Sequence, residues 1–140
     1  MEIDFIFFKG LQDNTQFFSK GFDTRSGLNT VIIGFDYMEI DQPQRLLHQL
    51  EKALDFELSL LDYWNDKVQD QLLPIPQYIQ FLEQLAQKLI NQPRYYQLID
   101  YPYISKTFLE KEFLLAVQSL IDFFEHYQQE GALVFKMKAI

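Results

Sequence analysis

The chain has 140 residues, 48% of them apolar and 16% aromatic, and it carries a formal net charge of −8. This length and composition predict one domain, residues 1–140, with a full hydrophobic core. The absence of cysteine excludes disulfides, cysteine-ligated metals and a cysteine nucleophile, and the acidity argues against direct binding to nucleic acid.

Nothing in the sequence predicts export or a membrane anchor. Residues 1–8 are acidic as well as apolar, whereas a signal peptide begins with basic residues. The longest later apolar run, residues 113–117, is far shorter than the roughly 20 residues that span a bilayer. We therefore expect a cytoplasmic protein with no membrane partner.

The N-terminal part of the chain has the composition of β-strands. Aromatic and β-branched residues predict strands over Ile3–Phe8 and Gln16–Phe22. Residues 23–29 predict a turn in which Gly27 takes the left-handed conformation. Alternating apolar residues then predict a third strand over Thr30–Met38.

A first helix is predicted after Asp41, which is a good N-cap residue followed by a proline in the first turn. It continues to about Asp70, because Pro74 and Pro76 prevent a longer helix. Its apolar face holds Leu47, Leu50, Leu54, Leu61, Trp64 and Val68.

Two more helices follow. Apolar residues at helical spacing predict one over Pro76–Asn91, which Pro93 ends. Thr107 and Glu110 form a capping-box pattern at the start of the third, and Gly131 is a natural residue just past its end. The buried positions expected on the second helix are Tyr78, Phe81, Leu82, Leu85 and Leu89.

The C-terminal residues Ala132–Ile140 predict a last strand, antiparallel to the first. In that pairing Glu2 and Asp4 lie opposite Lys136 and Lys138, so that the charges neutralise one another. The opposite face buries Phe5, Phe7, Phe135 and Met137. The predicted fold is α+β, with a mostly antiparallel sheet of three or four strands packed against three α-helices.

Recognisable catalytic motifs are missing. No serine lies in a Gly-x-Ser-x-Gly turn, and neither a Walker A nor a Gly-x-Gly-x-x-Gly pattern occurs. His48 and Glu51 have a spacing that could ligate a metal, but no second histidine lies nearby. We therefore predict no catalytic residue, no metal and no other cofactor. With 20 acidic residues, a hydrolase that uses paired carboxylates stays an alternative.

Negative charge is concentrated in the middle of the chain. Residues 36–70 contain nine acids and three bases, a net −6 of the total −8. On a continuous helix Glu51, Asp55, Asp62 and Asp66 would form one stripe within about 60°. Such a stripe is either a solvated face or a surface for a basic partner, and we predict that these four residues bind a partner.

The connector between the second and third helices, Gln92–Ser105, is rich in tyrosine. Tyr95, Tyr96, Tyr101 and Tyr103 are predicted partner-binding residues, because tyrosine is common at interfaces. The alternative is that these rings fill the core, which we expect of two of the four.

Two features have less specific explanations. The second helix carries Gln77, Gln80, Gln84 and Gln87 along one side, which the base composition of the genome is enough to explain. Glu57 falls on the apolar face of the first predicted helix, where an unpaired carboxylate is costly. We expect it to pair with a tyrosine or lysine of another helix, and the alternative is that this face is partly open.

These features predict a non-enzymatic binding protein. The function that fits best is an acidic immunity or inhibitor protein that neutralises a basic bacterial toxin, for example a nuclease. An adaptor or subunit of a cellular or phage complex is the alternative. No resemblance to a known family enters this interpretation.

Overall fold

The computed structural model describes residues 3–10, 16–21, 26–33 and 43–139. Within them the fold is α+β, as predicted, with four helices and a four-stranded antiparallel sheet in the order β2-β1-β4-β3. The strands and helices are β1 (Ile3–Phe8), β2 (Gln16–Gly21), α1 (Ser26–Ile33), α2 (Leu46–Leu54), β3 (Leu73–Pro74), α3 (Ile75–Asn91), α4 (Phe113–Gln129) and β4 (Val134–Ala139). Short 3₁₀ turns cover Ser59–Leu61 and Tyr95–Leu98, and a π-helical segment, Phe108–Glu112, leads into α4.

The terminal strands β1 and β4 pair antiparallel, as the sequence predicts. Asp4 lies opposite Lys138, which confirms one of the expected charge pairs. Lys136 lies opposite Ile6 in the register, and Glu2, its other expected partner, lies outside the described residues. Among the described residues of the two strands, the register places one pair of opposite charges, Asp4 and Lys138, across from each other.

The core lies between the sheet and the helices, and its centre is aromatic. Phe5, Phe7, Phe135 and Met137 are all buried, which confirms the predicted inner face. The ring of Phe124 on α4 lies 4.6 Å from that of Phe135 and 5.1 Å from that of Phe5. Tyr78 on α3 lies 4.8 Å from Phe135. These tilted and edge-on contacts hold α3 and α4 against β4.

Both ends of the last helical region are capped, one of them as predicted. At the C-terminal end Gly131 has φ +105°, and the Ala132 N–H donates to the Tyr127 carbonyl at 3.0 Å. This is a Schellman cap, which needs the left-handed conformation that glycine adopts at low cost. At the N-terminal end the predicted Thr107 cap is wrong, because the Ser105 hydroxyl accepts the Phe108 N–H instead.

The predicted third strand is wrong where the structure describes it. Residues 30–33 belong to α1, and residues 34–38 lie outside the described residues. Leu28, Val31 and Ile32 are buried at helical spacing, so the core contact outweighs their strand preference. Gly27 is helical, and its predicted left-handed turn is also wrong. A Cβ at Gly27 would lie 2.6 Å from the Phe108 ring, so glycine allows this close packing.

The predicted first helix is too long. Helix α2 ends at Leu54, because Asp55 takes the left-handed conformation with φ 50° and ψ 51°. Residues 55–72 then form an irregular loop before β3. The predicted N-cap Asp41 lies outside the described residues. Helix α3, by contrast, is confirmed, and its five predicted core residues are buried.

The Tyr78 hydroxyl is buried and has no hydrogen-bond partner among the described residues. An unsatisfied buried polar group is destabilising, so Tyr78→Phe is expected to stabilise the protein by about 1 kcal/mol. The control is Tyr95→Phe, since the Tyr95 hydroxyl donates to the Leu109 carbonyl. That variant should lose stability by a similar amount. Thermal unfolding of both variants checks the prediction, which a lower midpoint for Tyr78→Phe would contradict.

The same two hydroxyls give a pH dependence with a defined sign. Burial raises the pKa of Tyr78 and of Tyr95 above the ordinary value of 10.0. Above pH 10 the unfolded chain ionises first, so the free energy of unfolding is maintained below that pH and falls above it. Tyr78→Phe should make the fall shallower, which unfolding midpoints between about pH 8 and pH 11 would measure.

Candidate functional site

The loop of residues 55–72, here called the acidic loop, concentrates negative charge on the described surface. It holds five acids and a single cation, Lys67. Four of the acids are exposed: Asp55, Glu57, Asp66 and Asp70. Asp55 and Asp70 have positive φ angles of 50° and 59°, a conformation that aspartate tolerates better than most residues. The loop therefore displays carboxylates on an irregular backbone and not on a helix face.

The fifth acid, Asp62, is buried in an ion pair with Arg45. Its two carboxylate oxygens accept hydrogen bonds from Nη1 and Nη2 of Arg45 at 2.6 and 2.5 Å. The side chains are only 5% and 8% exposed. The Asp62 Oδ1 atom also accepts the Trp64 N–H at 3.1 Å. Asp62 therefore ties the middle of the acidic loop to the residue before α2, and its predicted place on an exposed stripe is wrong.

Glu51 fixes the beginning of the acidic loop. Its Oε2 atom accepts the Leu58 N–H at 2.8 Å, and its Oε1 atom lies 3.2 Å from His48 Nδ1. The predicted His48–Glu51 pair is thus a hydrogen bond within α2. Among the described residues, no three His, Cys, Asp or Glu side chains form a group able to hold a metal ion.

The predicted stripe of Glu51, Asp55, Asp62 and Asp66 does not exist as one helix face, because α2 ends before three of the four. Glu51 is half-buried, Asp62 is buried, and Asp55 and Asp66 are exposed on the acidic loop. Glu57 is exposed and accepts a hydrogen bond from the Ser59 hydroxyl at 2.8 Å, so the expected internal pairing with another helix is wrong and the alternative of an open position is the one observed.

Trp64 is a candidate contact residue that the sequence interpretation missed. Its helical spacing predicts a buried position, but 37% of the residue is exposed at the surface of the acidic loop. Its ring packs edge-on against buried Tyr63, with 5.4 Å between the centroids. A partly exposed, well-supported tryptophan is a common centre of protein interfaces. The feature of the sequence that points to a surface position is that Trp64 lies between two acidic residues, Asp62 and Asp66.

The connector tyrosines divide as expected, with two in the core. Tyr95 and Tyr101 are buried, Tyr96 is half-buried, and Tyr103 is 50% exposed. Tyr95 also donates its hydroxyl proton inside the protein, to Leu109. Of the four tyrosines predicted to bind a partner, Tyr103 and part of Tyr96 are therefore accessible at the surface.

The connector is attached to α2, and so to the start of the acidic loop. The Gln49 side chain donates to the Asp100 carbonyl at 2.8 Å and accepts the Asp100 N–H at 2.6 Å. The Gln92 side chain donates to the Leu54 carbonyl at 3.3 Å. Asp55, next to Leu54, therefore lies beside the beginning of the tyrosine-rich connector.

Comparison of the chain with protein-family models, curated proteins and solved structures finds no match. Across the described residues, no helix has both the length and the apolar character needed to cross a membrane.

Proposed function

We propose that this chain is a non-enzymatic binding protein that neutralises a basic toxin, such as a nuclease domain, in the cytoplasm. The contact surface is the acidic loop. The observation that carries the proposal is the display of four exposed carboxylates, with one lysine, on a loop anchored by the buried Arg45–Asp62 pair.

Charge supports a basic partner. Carboxylates grouped on one surface attract a cationic partner and raise the association rate by roughly 10–10³-fold at low salt. Asp55, Glu57, Asp66 and Asp70 are close in the chain and have only Lys67 among them to offset their charge. The negative potential over this loop favours the positively charged cleft with which a nuclease holds phosphates.

The fixed shape of the loop supports tight binding as well as attraction. A loop that is ordered before binding loses less conformational entropy in the complex. The Arg45–Asp62 ion pair and the Glu51–Leu58 hydrogen bond anchor this loop from inside. Trp64 adds an apolar contact at its centre, which is the usual arrangement of an interface hot spot.

The variant Asp55→Asn/Asp66→Asn/Asp70→Asn tests the role of charge. All three residues are exposed, so the variant should unfold at nearly the wild-type midpoint. It should lose affinity for a basic partner and show a weaker salt dependence of binding. The matched control is Glu83→Gln/Glu110→Gln/Glu130→Gln, which removes three exposed charges outside the loop. Equal loss of affinity in both variants would contradict a specific role for the loop.

The partner can be sought by affinity capture from an extract of the source organism. Wild-type protein and the control variant should retain the same basic protein at low salt, and the triple asparagine variant should not. Adding the wild-type chain at a 1:1 ratio should abolish the toxic or nuclease activity of the captured protein. Retention of a neutral component of a cellular or phage assembly by all three proteins would contradict the proposal and favour an adaptor.

A further inference from the structure

An open cleft of about 330 Å³ lies between the start of the acidic loop and α3. Its lining combines two phenylalanine rings, a carboxylate and three glutamine amides, contributed by Phe56, Phe81, Glu57, Gln77, Gln80 and Gln84. The glutamines are three of the four that form the polar stripe in the sequence. Small-ligand sites have this size and this combination of apolar walls with a few polar groups.

The polar part of the cleft is rich in hydrogen-bond acceptors. Glu57 supplies a carboxylate, which has about four acceptor positions, and the Ser59 hydroxyl uses one of them at 2.8 Å. Because Ser59 donates its proton to Glu57, its oxygen is left to accept from a ligand. None of the described residues that line this cleft is a lysine, arginine or histidine. The chemistry therefore favours a cationic ligand with several N–H donors.

The apolar part of the cleft suits a flat cation with an aliphatic stem. Phe56 and Phe81 are nearly parallel, with 5.8 Å between centroids and 14° between planes. Phe81 is 8% exposed, so it supports the half-buried Phe56 ring from inside. An arginine guanidinium stacks on aromatic faces more readily than a lysine ammonium, and its stem packs against apolar surface.

We infer that this cleft binds an arginine side chain presented by the basic partner. The guanidinium donates to Glu57, and the arginine stem contacts Phe56. Gln77, Gln80 and Gln84 span about 10 Å along α3, the length of roughly three extended residues. Their amides can both donate and accept hydrogen bonds, so they can pair with the backbone C=O and N–H groups of the partner residues on either side of the arginine. The inference relies on the proposed function only for the source of the arginine.

The probe is a blocked Gly-Arg-Gly peptide, titrated into the ¹⁵N-labelled full chain and followed by NMR. Saturable shifts are expected for Phe56, Glu57 and the Gln84 side-chain amide. Replacing arginine with its neutral isostere citrulline should weaken binding about tenfold, as should Glu57→Gln. The variant keeps an oxygen acceptor for Ser59, so it should fold normally. The control Glu110→Gln, on the π-helical segment outside the cleft, should bind like wild type.

Two results would overturn the inference: no saturable shift at these residues, or equal binding of the arginine and citrulline peptides. If the peptide does not bind but a basic partner is still captured through the acidic loop, the arginine-binding role of the cleft is wrong and the proposed function is retained. If the peptide binds but no basic partner is captured, the arginine-binding role of the cleft is supported and the toxin-neutralising function is contradicted.

Discussion

Asp62→Ala is expected to lower the free energy of unfolding by about 3–5 kcal/mol, because it leaves the buried Arg45 guanidinium without its counter-ion. Arg45 is only 4% exposed, so water cannot replace both lost hydrogen bonds without opening the structure. The Trp64 N–H loses its acceptor in the same substitution. Urea denaturation, with the free energy extrapolated to water, measures the effect.

Two further variants distinguish the contribution of the buried ion pair to stability from that of an exposed carboxylate on the same loop. Asp66→Ala removes an exposed carboxylate from the same loop and should change stability by no more than about 0.5 kcal/mol. Arg45→Met/Asp62→Leu removes both charges and should recover most of the loss, since apolar replacements of a buried pair are often neutral. If Asp62→Ala were as stable as Asp66→Ala, the pair would not hold the acidic loop in place.

Deletion of residues 134–140 is expected to abolish cooperative unfolding. Strand β4 is hydrogen-bonded to β1 on one side and to β3 on the other, so its removal divides the sheet. Phe135 and Met137 are 0% and 1% exposed, and both would be lost from the core. Loss of the Phe135 side chain alone should cost about 3–5 kcal/mol, against a total stability of about 5–15 kcal/mol for a typical domain.

Circular dichroism and calorimetry of the truncated chain measure this effect. Full-length Lys138→Ala is the control, because Lys138 is exposed on β4 and an exposed charge opposite Asp4 contributes little to stability. A truncated chain that keeps its unfolding midpoint would contradict the conclusion that β4 holds β1 and β3 together in one sheet. The C-terminal strand would then be free to add to the sheet edge of a partner.

Those elements that the sequence predicts well have strong local signals. Helix α3 has apolar residues at regular helical spacing between two prolines, and Gly131 marks the end of α4. The β1–β4 pairing follows from the buried alternation in both strands. The segment of residues 30–33 was predicted wrongly because Val31 and Ile32 have strand-type side chains. Their helical conformation is set by tertiary packing, including the contact between Gly27 and Phe108.

The candidate site could be predicted only in part. The concentration of acids was visible, but its geometry depends on Asp55, whose left-handed conformation ends α2 without a proline or glycine. The Arg45–Asp62 pair joins residues 17 apart in sequence and has no local signal. Because the apolar spacing continues through Leu58, Leu61 and Trp64, the sequence favoured a longer helix and placed Trp64 in the core.

The most direct test of the acidic loop is a titration of the captured partner with the wild-type chain and with Asp55→Asn/Asp66→Asn/Asp70→Asn. Calorimetry at low and at high salt gives both affinity and stoichiometry. The predicted result is a 1:1 complex that weakens with added salt, while the triple variant binds more weakly and depends less on salt. An affinity that is the same for both proteins at every salt concentration would contradict a binding role for the loop.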